Sequence, residues 1–216
     1  MVQTRFPDAP PEIAKLRLDE RGFPVPYFVP WIDGRPEFRA VDPRHVARTD
    51  RLGLCWICGG RLAGLMCFAV GPMCTVNRLS AEPPSHLSCA RFAVVACPFL
   101  SRPLAKRADA SDLPHQPAAG IMLEHNPGVT ALWRTRSYRS ERDGRGLLFR
   151  MGPPVRVDWF TEGRAATRAE ALAGFRLGLP RLVELADLDG AAGRSELARL
   201  LRRAHKWLPA GEEPAP

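Results

Sequence analysis

The sequence predicts an α+β fold in which a cysteine-knuckle module is followed by a small antiparallel sheet and C-terminal helices. Three observations carry this. All six cysteines fall between Cys55 and Cys97, and four residues there form a C-x2-C … H-x2-C pattern, Cys55/Cys58 and His86/Cys89. Three segments between Val129 and Phe160 alternate large and polar side chains, as half-buried strands do. From Thr167 onward, apolar residues recur at helical spacing.

Cys55, Cys58, His86 and Cys89 read as four ligands of one structural zinc ion. Two cysteines three apart, followed by Gly59, allow a tight knuckle that aims both thiolates at one ion; the glycine takes a backbone conformation that other residues resist. The second pair falls where a helix should begin. Pro84 and Ser85 are N-terminal signals, and the run Ala90 to Ala96 continues as a mostly buried helix. Ligands in a first helical turn lie close together at the positive end of the helix dipole, which favours thiolates. A knuckle, a hairpin and a helix carrying the second ligand pair resemble the treble-clef zinc finger. Cys67, in Leu65-Met66-Cys67-Phe68-Ala69-Val70, reads as part of a buried strand, and Cys97 as the end of the apolar helix before Pro98; both are expected in the core. Cys74 stands in an expected loop from Gly71 to Arg78, where it could replace His86 as a ligand, act as a reactive thiol, or merely pack.

The 216 residues suffice for one sizeable core or two small ones, and 45% apolar content suits a globular protein. No run approaches a membrane span, and Met1 to Arg21 holds no apolar signal segment, so a cytoplasmic location and no membrane partner are expected. Thiols stay reduced there, which favours zinc over disulfides. The net charge is +8. Its lysines are only Lys15, Lys106 and Lys206, an arginine bias that a GC-rich genome writes, yet the surplus over acidic residues permits a polyanionic partner: nucleic acid, DNA or RNA, or an acidic protein.

In chain order, residues 1–24 are polar and proline-containing and are expected to be a flexible N-terminus. Residues 25–100 form the zinc-binding module. It opens with Val25 to Ile32, the turn Asp33-Gly34 and Pro36 to Val41, an irregular hairpin. Asp42 then caps a helix with Pro43 in its first turn, running past His45 and Val46 and ending before Gly53. His45 has no second ligand at metal spacing and is expected at a surface or interface. Residues 101–127 read as a connector, with Pro103, Pro114 and Pro117, a basic patch at Arg102, Lys106 and Arg107, the isolated His115 and His125, and apolar residues only at Ile121-Met122-Leu123.

Residues 128–208 are expected to add a sheet and helices packed on the zinc module. Val129 to Tyr138, Leu147 to Arg150 (after a turn at Asp143-Gly144) and Val155 to Phe160 should form one antiparallel sheet. One face would carry Arg134, Arg136, Arg156 and Arg150, as either a basic binding surface or an ordinary wet face. Thr167-Arg168-Ala169-Glu170 is a capping box for a helix to about Gly178. Pro180 should start a second helix through Leu188, and Gly190 and Gly193 should separate it from a last one, Ser195 to Leu208. There Leu197, Leu200, Leu201, Ala204 and Leu208 share one side and Arg199, Arg202, Arg203 and Lys206 the other. Residues 209–216 read as a flexible tail.

Several phrases, Cys55-Trp56-Ile57-Cys58-Gly59, Gly71-Pro72-Met73-Cys74, Glu82-Pro83-Pro84-Ser85-His86 with Cys89-Ala90, and Ala96-Cys97-Pro98-Phe99-Leu100, resemble a family of uncharacterised bacterial and phage proteins with a treble-clef-like zinc finger. The resemblance spans about Pro26 to Leu188. It implies no particular activity and directs attention to Gly71 to Arg78.

Three functional classes follow. The first, and preferred, is a non-catalytic zinc protein associated with nucleic acid, with Arg199, Arg202, Arg203 and Lys206 as phosphate contacts. The second is a nuclease resembling the HNH group; its chemistry needs a histidine base between the two ligand pairs, and only Asn77 is available there. The third is an enzyme or partner site in which Cys74, Asn77 and Arg78 supply a nucleophile, an amide and an anion clamp, against the alternative that Asn77 and Arg78 hold their loop to the zinc helix. No P-loop, dinucleotide glycine motif or Ser/His/Asp signature occurs.

Overall fold

A computed structural model describes residues 2–108, 125–144 and 146–211. His115, Pro114, Pro117, Ile121-Met122-Leu123 and most of the expected tail lie outside the described residues. The N-terminal segment is packed, not loose as expected for 1–24. A short helix, α1 (Pro11–Ala14), drives Ile13 into an apolar cluster with Cys55, Ile57 and Cys89. The buried Asp19 carboxylate closes the next turn, accepting from the N–H groups of Arg21 (2.9 Å) and Phe23 (2.8 Å). Phe6 meets Phe92 and Phe23 edge-on. Apolar burial against a surface already formed by the knuckle offsets the entropy of ordering this segment.

Asp33 and Gly34, both at positive φ, turn the chain between β1 (Trp31–Ile32) and β2 (Arg35–Pro36), the expected hairpin at minimal length. Helix α2 (Pro43–Leu52) begins with the Asp42 carboxylate accepting from Arg44 N–H at 2.9 Å and stops at the left-handed Gly53. His45 is an interface residue, stacked on Tyr27 with ring centroids 4.2 Å apart.

After β3 (Met66–Val70), the expected loop Gly71 to Arg78 is instead a helix, α3 (Pro72–Asn77). Gly71 caps it, Pro72 presets the first helical φ, and Arg78 ends it at φ 59°. Then come β4 (Leu79–Ser80), α4 (Leu87–Ala96) and α5 (Pro98–Ser101). The remainder comprises β5 (Thr130–Thr135), β6 (Tyr138–Asp143), β7 (Gly146–Met151), β8 (Pro154–Thr161), β9 (Arg164–Ala165), α6 (Arg168–Leu188) and α7 (Gly190–Ala204).

These strands form two larger antiparallel sheets, β3-β5-β8-β9 and β4-β7-β6, where one was expected. The chain leaves the first sheet at Arg136-Ser137, and Gly152 holds the break: a Cβ there would collide with the Ser137 carbonyl, while Gly152 O accepts from Trp133 Nε1 at 3.1 Å. Because β3 pairs with β5, segments 25–100 and 128–208 share one sheet. Period-two alternation then builds two cores. Phe68, Val70, Ala131, Trp133 and Trp159 face α3, α6 and α7, whereas Cys67 and Leu132 face Ala90 and Val94 of α4. That second face is where Arg134 lies, so it is not the expected exposed arginine surface. Arg134 is mostly buried and pairs with Asp158 (3.0 Å), which also holds Arg156 (2.6 Å); Arg150 belongs to the other sheet and pairs with Glu141.

Asn126 is a buried clasp. Its Nδ2 donates to the carbonyls of Phe99 (2.6 Å), Leu100 (3.3 Å) and Arg102 (3.0 Å), and its Oδ1 accepts from Gly128 N–H (3.0 Å).

The capping box at Thr167 and Glu170 is present. Helix α6 does not stop at Gly178 but runs through Pro180, which is exposed, so the backbone carbonyl freed by the missing N–H is on the wet side. Gly174 and Gly178 are buried where Cβ atoms would meet Val129 and Met73 at 2.5 Å, letting α6 approach α3 and β5. Gly190 (φ 63°) breaks the helices, but Gly193 lies inside α7, with no room for a Cβ beside the Ala186 carbonyl. Leu197, Leu200, Leu201, Ala204 and Leu208 pack on the main core. Among the described residues no helix is long and apolar enough to cross a membrane.

Candidate metal centre

The knuckle is shaped by its own backbone. Cys55 N–H donates to Gly60 O (2.7 Å) and Gly59 N–H to Cys55 O (2.8 Å). Gly59 sits at φ 72°, where a side chain is strained, and a Cβ there would also press on the Tyr27 ring at 2.8 Å. Two tethers bring the second ligand pair to the knuckle: Trp56 N–H donates to Pro84 O (3.0 Å), and Cys67 and Ser85 exchange backbone bonds of 2.9 and 2.8 Å. Ser85, expected as a helix-start signal, is spent on that bridge. His86 is the N-cap of α4 instead, and Cys89 follows one turn later.

Cys55, Cys58, His86 and Cys89 thus converge, their ligand atoms all within 4.8 Å of one another, as a group that could hold a metal ion. His86 Nδ1 lies 3.4 Å from Cys58 Sγ and 3.9 Å from Cys89 Sγ. A tetrahedral ion with Zn–S of about 2.3 Å and Zn–N of about 2.0–2.1 Å puts sulfur and nitrogen about 3.5–3.6 Å apart, so these edges fit one ion at the centre. The imidazole is oriented for it. Nε2 donates to Arg61 O at 2.8 Å, which leaves the Nδ1 lone pair facing the sulfurs.

Backbone N–H groups surround the sulfurs. Cys55 Sγ accepts from Cys58 (3.5 Å) and His86 (3.4 Å), and Cys58 Sγ from Gly60 (3.4 Å). Cys58 and Cys89 thiols donate to Cys55, which lowers the Cys55 pKa and raises both of theirs. Without a cation, three thiolates this close cannot coexist; a divalent ion removes that conflict. Cys55 and Cys89 are 0% exposed, and Ile13 and Ile57 pack beside them with Leu16 and Phe92 at the margin. The Arg61 carbonyl and Ile13 went unseen in sequence: a backbone acceptor carries no residue-type signal, and Ile13 lies far outside the motif.

The residues Cys74, Asn77 and Arg78 are elsewhere. Cys74 packs on the main core, and burial pushes its thiol up to about 11. Asn77 Oδ1 accepts from Leu79 N–H (3.0 Å), and Arg78 donates to Met151 O through Nε (3.1 Å) and Nη2 (2.6 Å). Arg78 therefore secures the end of α3 against β7 and Asn77 closes the turn into β4, so neither side chain is spent on α4. Cys67 is buried and pushed up to about 12, and Cys97 caps α4. All six cysteines are free thiols.

Arg199, Arg202, Arg203 and Lys206 are exposed at the end of α7, opposite its buried stripe. Arg199 is tied to Glu196, Nε to Oε2 at 2.7 Å. Compared with family models, curated proteins and solved structures, the chain matches none.

Proposed function

We propose that Cys55, Cys58, His86 and Cys89 hold one zinc ion in a structural site, and that the protein is a non-catalytic zinc protein that associates with nucleic acid. The convergence of three sulfurs and one correctly turned imidazole within 4.8 Å of one another, with the His86 edges to Cys58 and Cys89 at 3.4 and 3.9 Å, carries the metal reading. Thiolate and imidazole donors select zinc over hard cations, and four protein ligands leave no open position for chemistry. In this reading the knuckle, β3 with the Ser85 bridge, and α4 make a treble-clef core into which α3 and β4 are inserted. A reducing compartment such as the cytoplasm suits six free thiols.

The nucleic-acid reading is supported by the net charge of +8 and by Arg202, Arg203 and Lys206 on one exposed helix end. Such contacts act on phosphates and weaken with salt through counterion release. Fluorescence polarisation with labelled single- and double-stranded DNA and RNA at about 50 mM salt tests it. Binding that falls steeply with salt, and falls again in the Arg202→Glu, Arg203→Glu double variant with an unchanged melting curve, is expected. Absence of binding to all four probes refutes the reading and leaves an acidic protein as the partner to seek.

A further inference from the structure

Strand β6 (Tyr138–Asp143) ends the β4-β7-β6 sheet, and among the described residues β7 is its sole strand neighbour. The direction of its backbone groups follows from the hairpin. Asp143 and Gly146 stand opposite each other with two residues between them, which makes them a hydrogen-bonded pair, and bonding alternates from there. Asp143, Glu141 and Arg139 therefore turn their N–H and C=O groups into β7. Gly152 N–H donates to Ser137 O at 2.9 Å, which keeps the same phase at the far end. Arg142, Ser140 and Tyr138 turn their groups outward, where no hydrogen bond meets them among the described residues. The side chains of Arg139, Ser140 and Arg142 are exposed along this edge.

An open edge is a template for another strand, and charges on it normally turn that strand away. The charges of β6 instead complement β6 itself. A two-fold axis normal to the sheet pairs the strand antiparallel with a second copy and keeps both outer faces on one side, so each register centres on a residue. Centred on Arg139, the pairing sets that arginine against itself and Arg136 against Arg142; centred on Glu141, it sets that carboxylate against itself. Centred on Ser140, it sets Arg139 against Glu141 and Tyr138 against Arg142, each twice, with no like charges opposite. In that register Ser140, Tyr138 and Arg142 occupy the bonded positions, which satisfies their outward backbone groups, and the Arg139–Glu141 pairs fall at the non-bonded positions, where side chains approach most closely. Glu141 holds Arg150 of its own chain (Nη2 to Oε2, 3.0 Å) but is 41% exposed, which leaves carboxylate lone pairs for a second guanidinium. We propose that β6 pairs with β6 of a second copy of this chain about a two-fold axis at Ser140, joining the two β4-β7-β6 sheets edge to edge. One strand pair buries less than the roughly 1,000 Å² of a lasting interface, so the dimer is reversible and of micromolar or weaker affinity. It does not depend on the nucleic-acid reading.

Sedimentation velocity of the full zinc-loaded chain from about 10 µM to about 500 µM should show a monomer–dimer equilibrium. Arg139→Glu should weaken it about ten- to thirtyfold, because two attractive cross-strand pairs become repulsive. The monomer tolerates that change: Arg139 stands opposite Arg150 in its own sheet, so the melting temperature should not fall. Ser140→Cys should give a disulfide-linked dimer on mild oxidation, since opposite residues of a bonded pair have Cα atoms about 5.5 Å apart. Arg142→Cys should stay at the wild-type background, because its two copies lie four residues out of register, about 14 Å apart or more. A wild type that remains monomeric across this range overturns the proposal. So does a dimer that Arg139→Glu leaves intact, or one in which Arg142→Cys cross-links as readily as Ser140→Cys.

Discussion

Ile13→Ala tests whether the N-terminal segment belongs to the metal-centre core. Ile13 is 1% exposed and packs with Cys55, Ile57 and Cys89. The substitution removes three side-chain carbons; at about 0.8 kcal/mol each they account for somewhat over 2 kcal/mol, and the cavity left behind raises the loss to about 3–4 kcal/mol. For a chain of this size each kcal/mol lowers the melting temperature by about 2–4 °C, so a drop of roughly 6–15 °C is expected. Ile13→Val should cost only about 1 kcal/mol. The assay is calorimetry of the zinc-loaded protein, paired with the rate at which a chromogenic chelator withdraws metal. Zinc should leave faster from Ile13→Ala because the apolar cover over two ligands is thinned. A melting point lowered by less than about 2 °C, with unchanged zinc release, would show that residues 2–24 are not part of this core.

Other outcomes follow from buried polar groups. Asn126→Ala should destabilise by about 2–4 kcal/mol, since it empties a buried site and unpairs the part-buried Gly128 N–H and the carbonyls of Phe99 and Arg102 at about 1 kcal/mol each; urea unfolding checks this, and a loss under about 1 kcal/mol would contradict the clasp. Cys74 and Cys67 should resist iodoacetamide in the native protein at about pH 8 and react on unfolding, because burial raises their pKa values to about 11 and about 12. Both folded values lie above the 9.0 of an ordinary thiol, so the stability they contribute is intact below about pH 9 and is lost as pH rises toward 11–12. Rapid native alkylation of Cys74 would contradict its burial and return attention to an active site at Gly71 to Arg78. Cys58→Ser should abolish tight zinc binding and loosen 2–100 together, seen as a loss of near-ultraviolet signal from Trp31 and Trp56; a native spectrum would show that the fold does not need the metal.

The four-residue convergence was legible because its signal is local: the knuckle spacing and Gly59 fix one pair, and a helix start fixes the other. The capping box at Thr167, the cap at Asp42 and the turn at Asp33-Gly34 were legible for the same reason. What was missed depends on partners distant in sequence. Gly71 to Arg78 looks like a loop because Gly, Pro, Thr, Val and Asn are weak helix formers, yet Gly71-Pro72 is a sound helix start and burial of Met73 and Val76 outweighs propensity. Pro180 reads as a boundary, but its missing bond falls on the solvent side of α6, where tolerance is greatest. Strand partners were misassigned because alternation gives a face and not a neighbour; the close approach of Gly152 to Ser137, which splits the sheets, has no pattern in the sequence. Arg134 shows the same limit, since its half of the alternation is covered by α4.

X-ray absorption at the zinc edge of the purified protein, together with metal stoichiometry, tests the metal centre most directly. One zinc per chain is expected, with three sulfurs at about 2.3 Å and one nitrogen at about 2.0–2.1 Å. Protein that folds natively without zinc, or zinc coordinated mainly by oxygen, would contradict the assignment of Cys55, Cys58, His86 and Cys89.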